Sequence, residues 1–112
     1  MYTIYKKFEF ASAHQIKGHP KCGKLHGHNY IVEAWVSSLR LSGPYDFVLD
    51  FAYFKEIADK YDHTGEILTI SSEILARNIV ENLHSQGLFE NVKVKIWESD
   101  HSYAEFEITR GH

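Results

Sequence analysis

The chain has 112 residues, which is enough for one globular domain, and we expect residues 1–112 to form it. The formal net charge of −3 gives no broad basic surface, so nucleic acid is not an expected partner. A single cysteine excludes an intrachain disulfide and favours a reducing compartment. Since neither a signal-peptide pattern nor an apolar run of roughly 18 residues is present, we expect a cytoplasmic protein that does not bind membranes.

Alternating polarity predicts four strands. Residues 2–13 and 28–41 place apolar side chains at every second position, which is typical of half-buried strands. The same alternation returns in residues 91–98 and 102–109, with a short hairpin turn between them. The first and last pairs of strands are each close in sequence, which favours antiparallel pairing.

Two amphipathic helices are predicted between these strand pairs. The first has Asp50 as its N-cap and ends near Tyr61; the second is capped by Ser71 or Ser72 and ends at Gly87. The order β-β-α-α-β-β predicts an α+β fold, with a four-stranded antiparallel sheet and two helices on one face.

Such a sheet has a second face and two edges that the helices do not cover. Tyr5, Trp35 and Trp97 are expected on that second face. Pairing of edges between copies is a common way to protect them, so we expect a homo-oligomer.

Three histidines form a candidate metal site. His26 and His28 open a strand, and a side-chain period of two puts both imidazoles on one face. His14 ends the preceding strand, which hairpin pairing brings alongside. Three protein ligands leave the fourth position of a tetrahedral zinc ion open, as in catalytic sites.

Cys22 lies four residues before His26, in a glycine-containing loop between Lys21 and Lys24. Nearby cations favour the thiolate, which can act as a base. A fourth zinc ligand and an inert buried thiol are the alternatives, and the residues alone do not decide between them.

Two further groups are candidates for acid–base chemistry or binding. Asp62 precedes His63, and a carboxylate beside an imidazole can orient it as a general acid or base, although a surface turn would look the same. Glu98 ends a strand face that is otherwise apolar, where a carboxylate needs a cation or a ligand's N–H groups as partner.

Together these residues resemble the 6-pyruvoyl-tetrahydropterin synthase family over nearly the whole chain. The spacing C-x3-H-G-H is similar to the 6-carboxy-5,6,7,8-tetrahydropterin synthase branch, which serves deazaguanine (queuosine) biosynthesis. The motifs that carry the resemblance are FEFASAH at residues 8–14, CGKLHGHNY at 22–30, VLDF at 48–51, DH at 62–63, SSE at 71–73 and WES at 97–99.

The resemblance implies the T-fold, in which trimers close a twelve-stranded barrel and two trimers stack as a hexamer. It implies zinc bound by three histidines, His14, His26 and His28. It further implies that Cys22 removes a side-chain proton, that Asp62 and His63 return one on the other face, and that Glu98 anchors the pterin.

The implied substrate is 7,8-dihydroneopterin triphosphate, converted to 6-carboxy-5,6,7,8-tetrahydropterin with loss of triphosphate and acetaldehyde. A pyruvoyl synthase, a dihydroneopterin-cleaving aldolase and a non-catalytic pterin- or metal-binding module are the alternatives. The chain departs from the family pattern in a shorter segment between His63 and Ser71, in Tyr61 and in Ile70.

Overall fold

A computed structural model of the protein describes residues 1–21 and 23–110. A five-stranded sheet carries both helices, and its strand order is β3-β1-β2-β4-β5. The elements in chain order are β1 (Tyr2–His14), β2 (His26–Ser38), α1 (Ala52–Tyr61), β3 (Ile67–Leu68), α2 (Ser72–His84), β4 (Asn91–Ser99) and β5 (Ser102–Thr109).

The β1–β2 hairpin is the longest feature of the sheet. Its antiparallel register runs without a break from Tyr2 opposite Ser38 to His14 opposite His26. β2 therefore begins at His26 and ends at Ser38, earlier at both ends than the predicted residues 28–41. Pairing with β1 draws His26 into the sheet, so the hairpin brings His14 and His26 together as predicted.

The prediction of four antiparallel strands is corrected by a fifth, parallel strand. In β3, Ile67 and Leu68 pair with Ala13 and His14 of β1. The backbone N–H of Gln15 donates to the carbonyl of Leu68 at 2.9 Å. Two residues are too few to show a period, so this strand has no sequence signal of its own.

The start of α1 differs from the prediction by one residue. Asp50 is not the N-cap; Phe51 occupies that position, without a side-chain cap, and is half-exposed. The Asp50 carboxylate still accepts from the backbone N–H of Ala52 at 2.9 Å. It therefore satisfies one of the helix's unpaired N–H groups from outside the helix.

The start of α2 is as predicted and its end is not. Ser71 is the N-cap, and its hydroxyl accepts from the backbone N–H of Ile74. The helix ends at His84, with Ser85 as its C-cap, rather than at Gly87. The Ser85 N–H bonds the carbonyls of Glu81 and Leu83, so the last turn closes without a glycine.

One hydrophobic core lies between the helices and the inner face of the sheet. The predicted apolar stripe of α2 and the alternate residues of β2 and β4 are all buried there. On the opposite face Tyr5 packs against Trp35, and Trp97 Nε1 donates to Glu33. In the described part of the chain, no helix combines the length and the apolar composition that crossing a membrane would require.

Candidate functional site

The three predicted histidines meet at the end of the β1–β2 hairpin. Nδ1 of His14 lies 3.2 Å from Nε2 of His26, which lies 2.8 Å from Nε2 of His28. One nitrogen from each ring fits within a mutual separation of 4.8 Å. The His14 side chain is fully buried, while the other two are half-buried. The cluster therefore has a closed side at β1 and an accessible side at β2.

Backbone carbonyls determine which ring nitrogens carry protons. Nε2 of His14 lies 3.0 Å from the carbonyl of Ile70, and Nδ1 of His26 lies 2.6 Å from the carbonyl of Lys24. A carbonyl only accepts, so both of these nitrogens carry the proton in the neutral rings. The opposite nitrogens, which face each other across 3.2 Å, are left with lone pairs.

Two facing lone pairs cannot form a hydrogen bond with each other, whereas a shared cation satisfies both. Ligand nitrogens about 2.0–2.1 Å from a tetrahedral zinc ion lie roughly 3.3 Å apart, close to the spacing found here. Hydrogen bonding of the second ring nitrogen to a carbonyl is the usual support for histidine ligands. The donor set therefore fits a metal ion.

The surroundings of His28 alter its proton affinity. Burial lowers its pKa below the ordinary value, the neighbouring rings of His26 and His14 lower it further, and Glu98 acts in the opposite direction. The neutral imidazole, which is the form that binds metal, is therefore favoured at lower pH than usual.

Asp62 and His63 form the predicted carboxylate–imidazole pair. Nδ1 of His63 lies 2.9 Å from the Asp62 carboxylate, which also accepts from the backbone N–H of Ala11 at 2.8 Å. These two donors lower the pKa of Asp62, the Ala11 bond most. His63 adopts a left-handed backbone conformation with φ of 49°. The pair leaves Nε2 of His63 available for proton transfer.

A cavity of about 420 Å³ lies beside the histidine cluster. His28 and Gly27 of β2 lie on one side, and His63 with residues 64–66 lies on the other. A side chain at Gly27 would meet nothing within 4 Å, so the space beside this glycine belongs to the cavity. The cavity brings a candidate ligand, His28, and a candidate acid–base group, His63, to one opening.

Glu98 lies at an irregularity that the strand pattern does not reveal. The β4–β5 register shifts between Trp97 and Ser99, which makes Glu98 the extra residue of a β-bulge. Bulges re-aim side chains and are common next to active sites. The Glu98 carboxylate accepts a short hydrogen bond from the hydroxyl of Ser72, at the start of α2. Glu98 also lies close enough to His28 to oppose the lowering of the His28 pKa by burial.

Cys22 lies outside the described residues, but the loop on either side of it is described. The side-chain amide of Gln15 donates to the carbonyl of Gly23 at 2.8 Å. The N–H of Gly23 bonds the carbonyl of His19 at 2.9 Å, and a Cβ at Gly23 would lie 2.3 Å from that oxygen. The loop conformation therefore requires glycine at residue 23.

Reasoning from the sequence missed three groups that support the site. They are the Ser72 hydroxyl, the Gln15 side chain and the Ile70 carbonyl. Only Ser72 had a signal in the sequence. The Ser-Ser-Glu segment offers two hydroxyls, and the N-cap of α2 needs one of them, so the other is left for a different partner. A backbone carbonyl has no sequence signature.

Comparison with known proteins adds independent information. A sequence profile of the family described as 6-pyruvoyl tetrahydropterin synthase matches residues 3–109. A Haemophilus influenzae protein named 6-carboxy-5,6,7,8-tetrahydropterin synthase is 29% identical in an alignment 140 positions long, which covers 96% of this chain and 99% of the relative. An Archaeoglobus fulgidus protein, provisionally named for the same activity, is 38% identical over 105 residues, covering 86% of this chain and 87% of the relative.

A solved structure shows the same fold at low sequence identity. The crystal structure of 6-pyruvoyl tetrahydropterin synthase from Plasmodium vivax superposes with a TM-score of 0.67 and 17% identity, covering 98% of this chain and 100% of that one. The predicted α+β T-fold is thus confirmed, with the strand β3 in addition to the four expected. The profile match over residues 3–109 and the 38% identity to the archaeal relative establish that the chain belongs to the 6-pyruvoyl tetrahydropterin synthase family.

Proposed function

We propose that the protein is a zinc-dependent 6-carboxy-5,6,7,8-tetrahydropterin synthase. The reaction converts 7,8-dihydroneopterin triphosphate and water to 6-carboxy-5,6,7,8-tetrahydropterin, acetaldehyde and triphosphate. The observation that carries the proposal is the cluster of three imidazoles, with lone pairs facing one another, beside a cavity that also contains His63. The names of the two sequence relatives support the choice of the carboxy product.

Zinc is the metal that this ligand set suits best. The three candidate ligands are His14, His26 and His28. Three imidazoles and no carboxylate resemble catalytic zinc sites, in which a fourth position stays open. Zinc bound there would polarise the hydroxyl and carbonyl groups of the substrate's side chain.

Proton transfer is assigned to two groups, Cys22 and His63. Cys22 is proposed as the base that removes a proton from the substrate's side chain, and the adjacent lysines favour its thiolate. His63 is proposed to return a proton on the opposite face. Asp62 accepts from Nδ1 of His63, which leaves Nε2 as the nitrogen that exchanges the proton.

Glu98 is proposed as the anchor for the pterin ring. A carboxylate can accept from the 2-amino group and from N3–H of a pterin at once. The hydroxyl of Ser72 already bonds one carboxylate oxygen, which fixes the orientation of the group at the bulge. Ser72 is therefore a positioning residue in this scheme.

Assembly into a hexamer of two stacked trimers is part of the proposal. β3 covers β1 only at Ala13 and His14, so among the described residues most of the outer edge of β1 has no partner strand, and β5 forms the opposite edge. Joining these edges between copies would close a barrel and protect both. We expect this assembly to operate in a reducing cytoplasm, where Cys22 stays a thiol.

Product analysis tests the proposed reaction. Zinc-loaded protein is incubated with 7,8-dihydroneopterin triphosphate, and products are identified by mass spectrometry. We expect acetaldehyde and the carboxy pterin in equal amounts. A pyruvoyl pterin or glycolaldehyde would instead identify a pyruvoyl synthase or an aldolase, and binding without turnover would identify a non-catalytic module.

A further inference from the structure

The charge of the chain is divided unevenly around the site. Residues 10–32 contain three lysines and four histidines and no aspartate or glutamate. The remaining residues carry nine of the twelve lysines and arginines and all fifteen acidic residues, a formal charge of −6 against +3 for this segment. This cationic segment of an otherwise acidic chain therefore contains the histidine cluster.

The three lysines lie in the loop that joins the two ligand-bearing strands. Lys17, Lys21 and Lys24 are all exposed. Within the portion of the chain that the structure describes, the ion pairs between side chains involve none of them. Because no carboxylate of the described residues pairs with these ammonium groups, their positive charge is available to an anionic ligand.

The loop is tied to the site and is not a free surface segment. The Lys24 carbonyl accepts from His26, and the Gly23 carbonyl accepts from the side chain of Gln15. Lys21 N–H donates to Nδ1 of His19, and Gly23 N–H donates to the His19 carbonyl. These bonds hold the backbone on both sides of Lys21 next to the end of the hairpin.

The positions along β2 give the direction in which a substrate would lie. Trp97 pairs with Ile31, so Glu98 of the neighbouring strand lies near the level of Tyr30. His26 lies four residues from Tyr30 towards the hairpin end, which is about 13 Å along an extended strand. The lysine loop begins immediately beyond it. A carboxylate, the imidazole cluster and the cations therefore follow one another in a line.

We propose that Lys17, Lys21 and Lys24 form the subsite for the polyphosphate end of the substrate. The inference rests on the proposed function for the identity of that substrate, and it gives the three lysines a contact with the substrate that none of the roles above includes. The pterin ring would lie at Glu98, its side chain at the imidazoles, and its triphosphate against the loop. Lysine ammonium groups bind phosphate oxygens as mobile point charges, which suits a flexible triphosphate.

Binding of matched ligands to the zinc-loaded protein tests the subsite. Neopterin triphosphate and neopterin are titrated by pterin fluorescence against the wild type and the triple variant Lys17→Gln, Lys21→Gln, Lys24→Gln. We expect the variant to lose roughly 10- to 100-fold in affinity for neopterin triphosphate, since charge-assisted contacts are lost. Its affinity for neopterin should stay within about twofold, because the ring and side-chain contacts are unchanged.

A control variant separates the subsite from a general effect of charge. Lys6→Gln, Arg40→Gln, Arg77→Gln removes the same charge from outside the loop and should leave both affinities unchanged. The conservative variant Lys17→Arg, Lys21→Arg, Lys24→Arg should retain binding of the triphosphate. Inorganic tripolyphosphate should compete with neopterin triphosphate on the wild type and lose that ability in the glutamine variant.

The outcomes also distinguish this inference from the proposed function. Equal loss in both triple glutamine variants, or unchanged affinity in the loop variant, would overturn the subsite even if the carboxy pterin is formed. Selective loss in the loop variant would establish the subsite even if product analysis identifies another pterin reaction. Zinc content and thermal unfolding of each variant, which should match the wild type, check that the fold is intact.

Discussion

His14 shows how a buried polar side chain is made acceptable in the core. Its imidazole is fully buried, yet one ring nitrogen donates to the carbonyl of Ile70 and the other faces His26. A buried imidazole nitrogen without a partner would cost about 1–3 kcal/mol. The same contacts that satisfy the ring also orient its lone pair towards the other two histidines.

The ligand assignment predicts the metal content of a single variant. His28→Ala should reduce zinc from one ion per subunit to well below one, because two imidazoles hold zinc much less tightly than three. Metal analysis of purified protein after dialysis measures it. His101→Ala, at an exposed turn position, is the matched control. Full zinc occupancy in His28→Ala would mean that His28 is not a ligand.

Substitution of Cys22 tests its role as a base. Cys22→Ala should keep zinc and bind pterin normally while turnover falls roughly 10²–10⁴-fold, the usual cost of losing a general base. Steady-state kinetics and metal analysis of the same sample measure both. Loss of zinc instead of turnover alone would make Cys22 a fourth ligand, and unchanged turnover would make it an inert thiol.

Glu98→Gln tests the pterin anchor. The amide keeps one acceptor but presents a donor to a donor of the ring, so affinity should fall by about 2–4 kcal/mol. Fluorescence titration measures it, with zinc content as a check that the metal site is intact. Glu105→Gln, on the neighbouring strand, should bind pterin like the wild type. Wild-type affinity in Glu98→Gln would exclude the anchor role.

At the scale of elements, two glycines near the site should respond oppositely to the same change. Gly23→Ala should destabilise the protein by about 1–3 kcal/mol, because the new Cβ would lie 2.3 Å from the His19 carbonyl and the loop must shift. Gly27→Ala should be neutral or slightly stabilising, since its Cβ would meet nothing within 4 Å. Urea unfolding of both zinc-free variants measures the difference, and equal stabilities would contradict the loop geometry.

At the scale of the whole molecule, Glu33 links three strands on the face opposite the helices. Its carboxylate accepts from the Tyr5 hydroxyl at 2.6 Å and from Trp97 Nε1 at 2.7 Å. The Tyr5 bond is the largest cause of its lowered pKa, while partial burial acts in the opposite direction. These contacts join β1, β2 and β4 through one charged group.

The lowered pKa of Glu33 predicts that this carboxylate contributes to the loss of folding stability in acid. Because the folded pKa of Glu33 is below its unfolded value near 4.5, its stabilisation is complete above that pH and is lost as pH falls through the folded pKa. Glu33→Gln should therefore lower stability at pH 7 and flatten its decline below about pH 4.5. Thermal unfolding between pH 3 and 7 measures both. A variant with the wild-type pH dependence would show that Glu33 contributes nothing to acid sensitivity.

The elements that dominate the fold were predictable because their signals are local. Alternation in β1, β2 and β4 and the apolar stripe of α2 each follow from neighbouring residues and a fixed period. The same period of two put His26 and His28 on one face, and a simple hairpin brought His14 opposite His26. Ser71 as a cap also follows from a short-range preference.

Contacts between distant segments determine the remaining features of the fold and of the site. The hydrogen bond between His14 and Ile70 joins residues 56 positions apart, and the one between Ser72 and Glu98 joins residues 26 positions apart. The pairing of β3 with β1 and the bulge at Glu98 also depend on packing between distant segments. None of these has a period or a propensity, because a hydrogen bond between distant segments forms only where packing brings donor and acceptor together. The pattern of residues therefore determines which side chains can reach the site, and the tertiary structure determines which ring nitrogens and carboxylate oxygens are turned towards it.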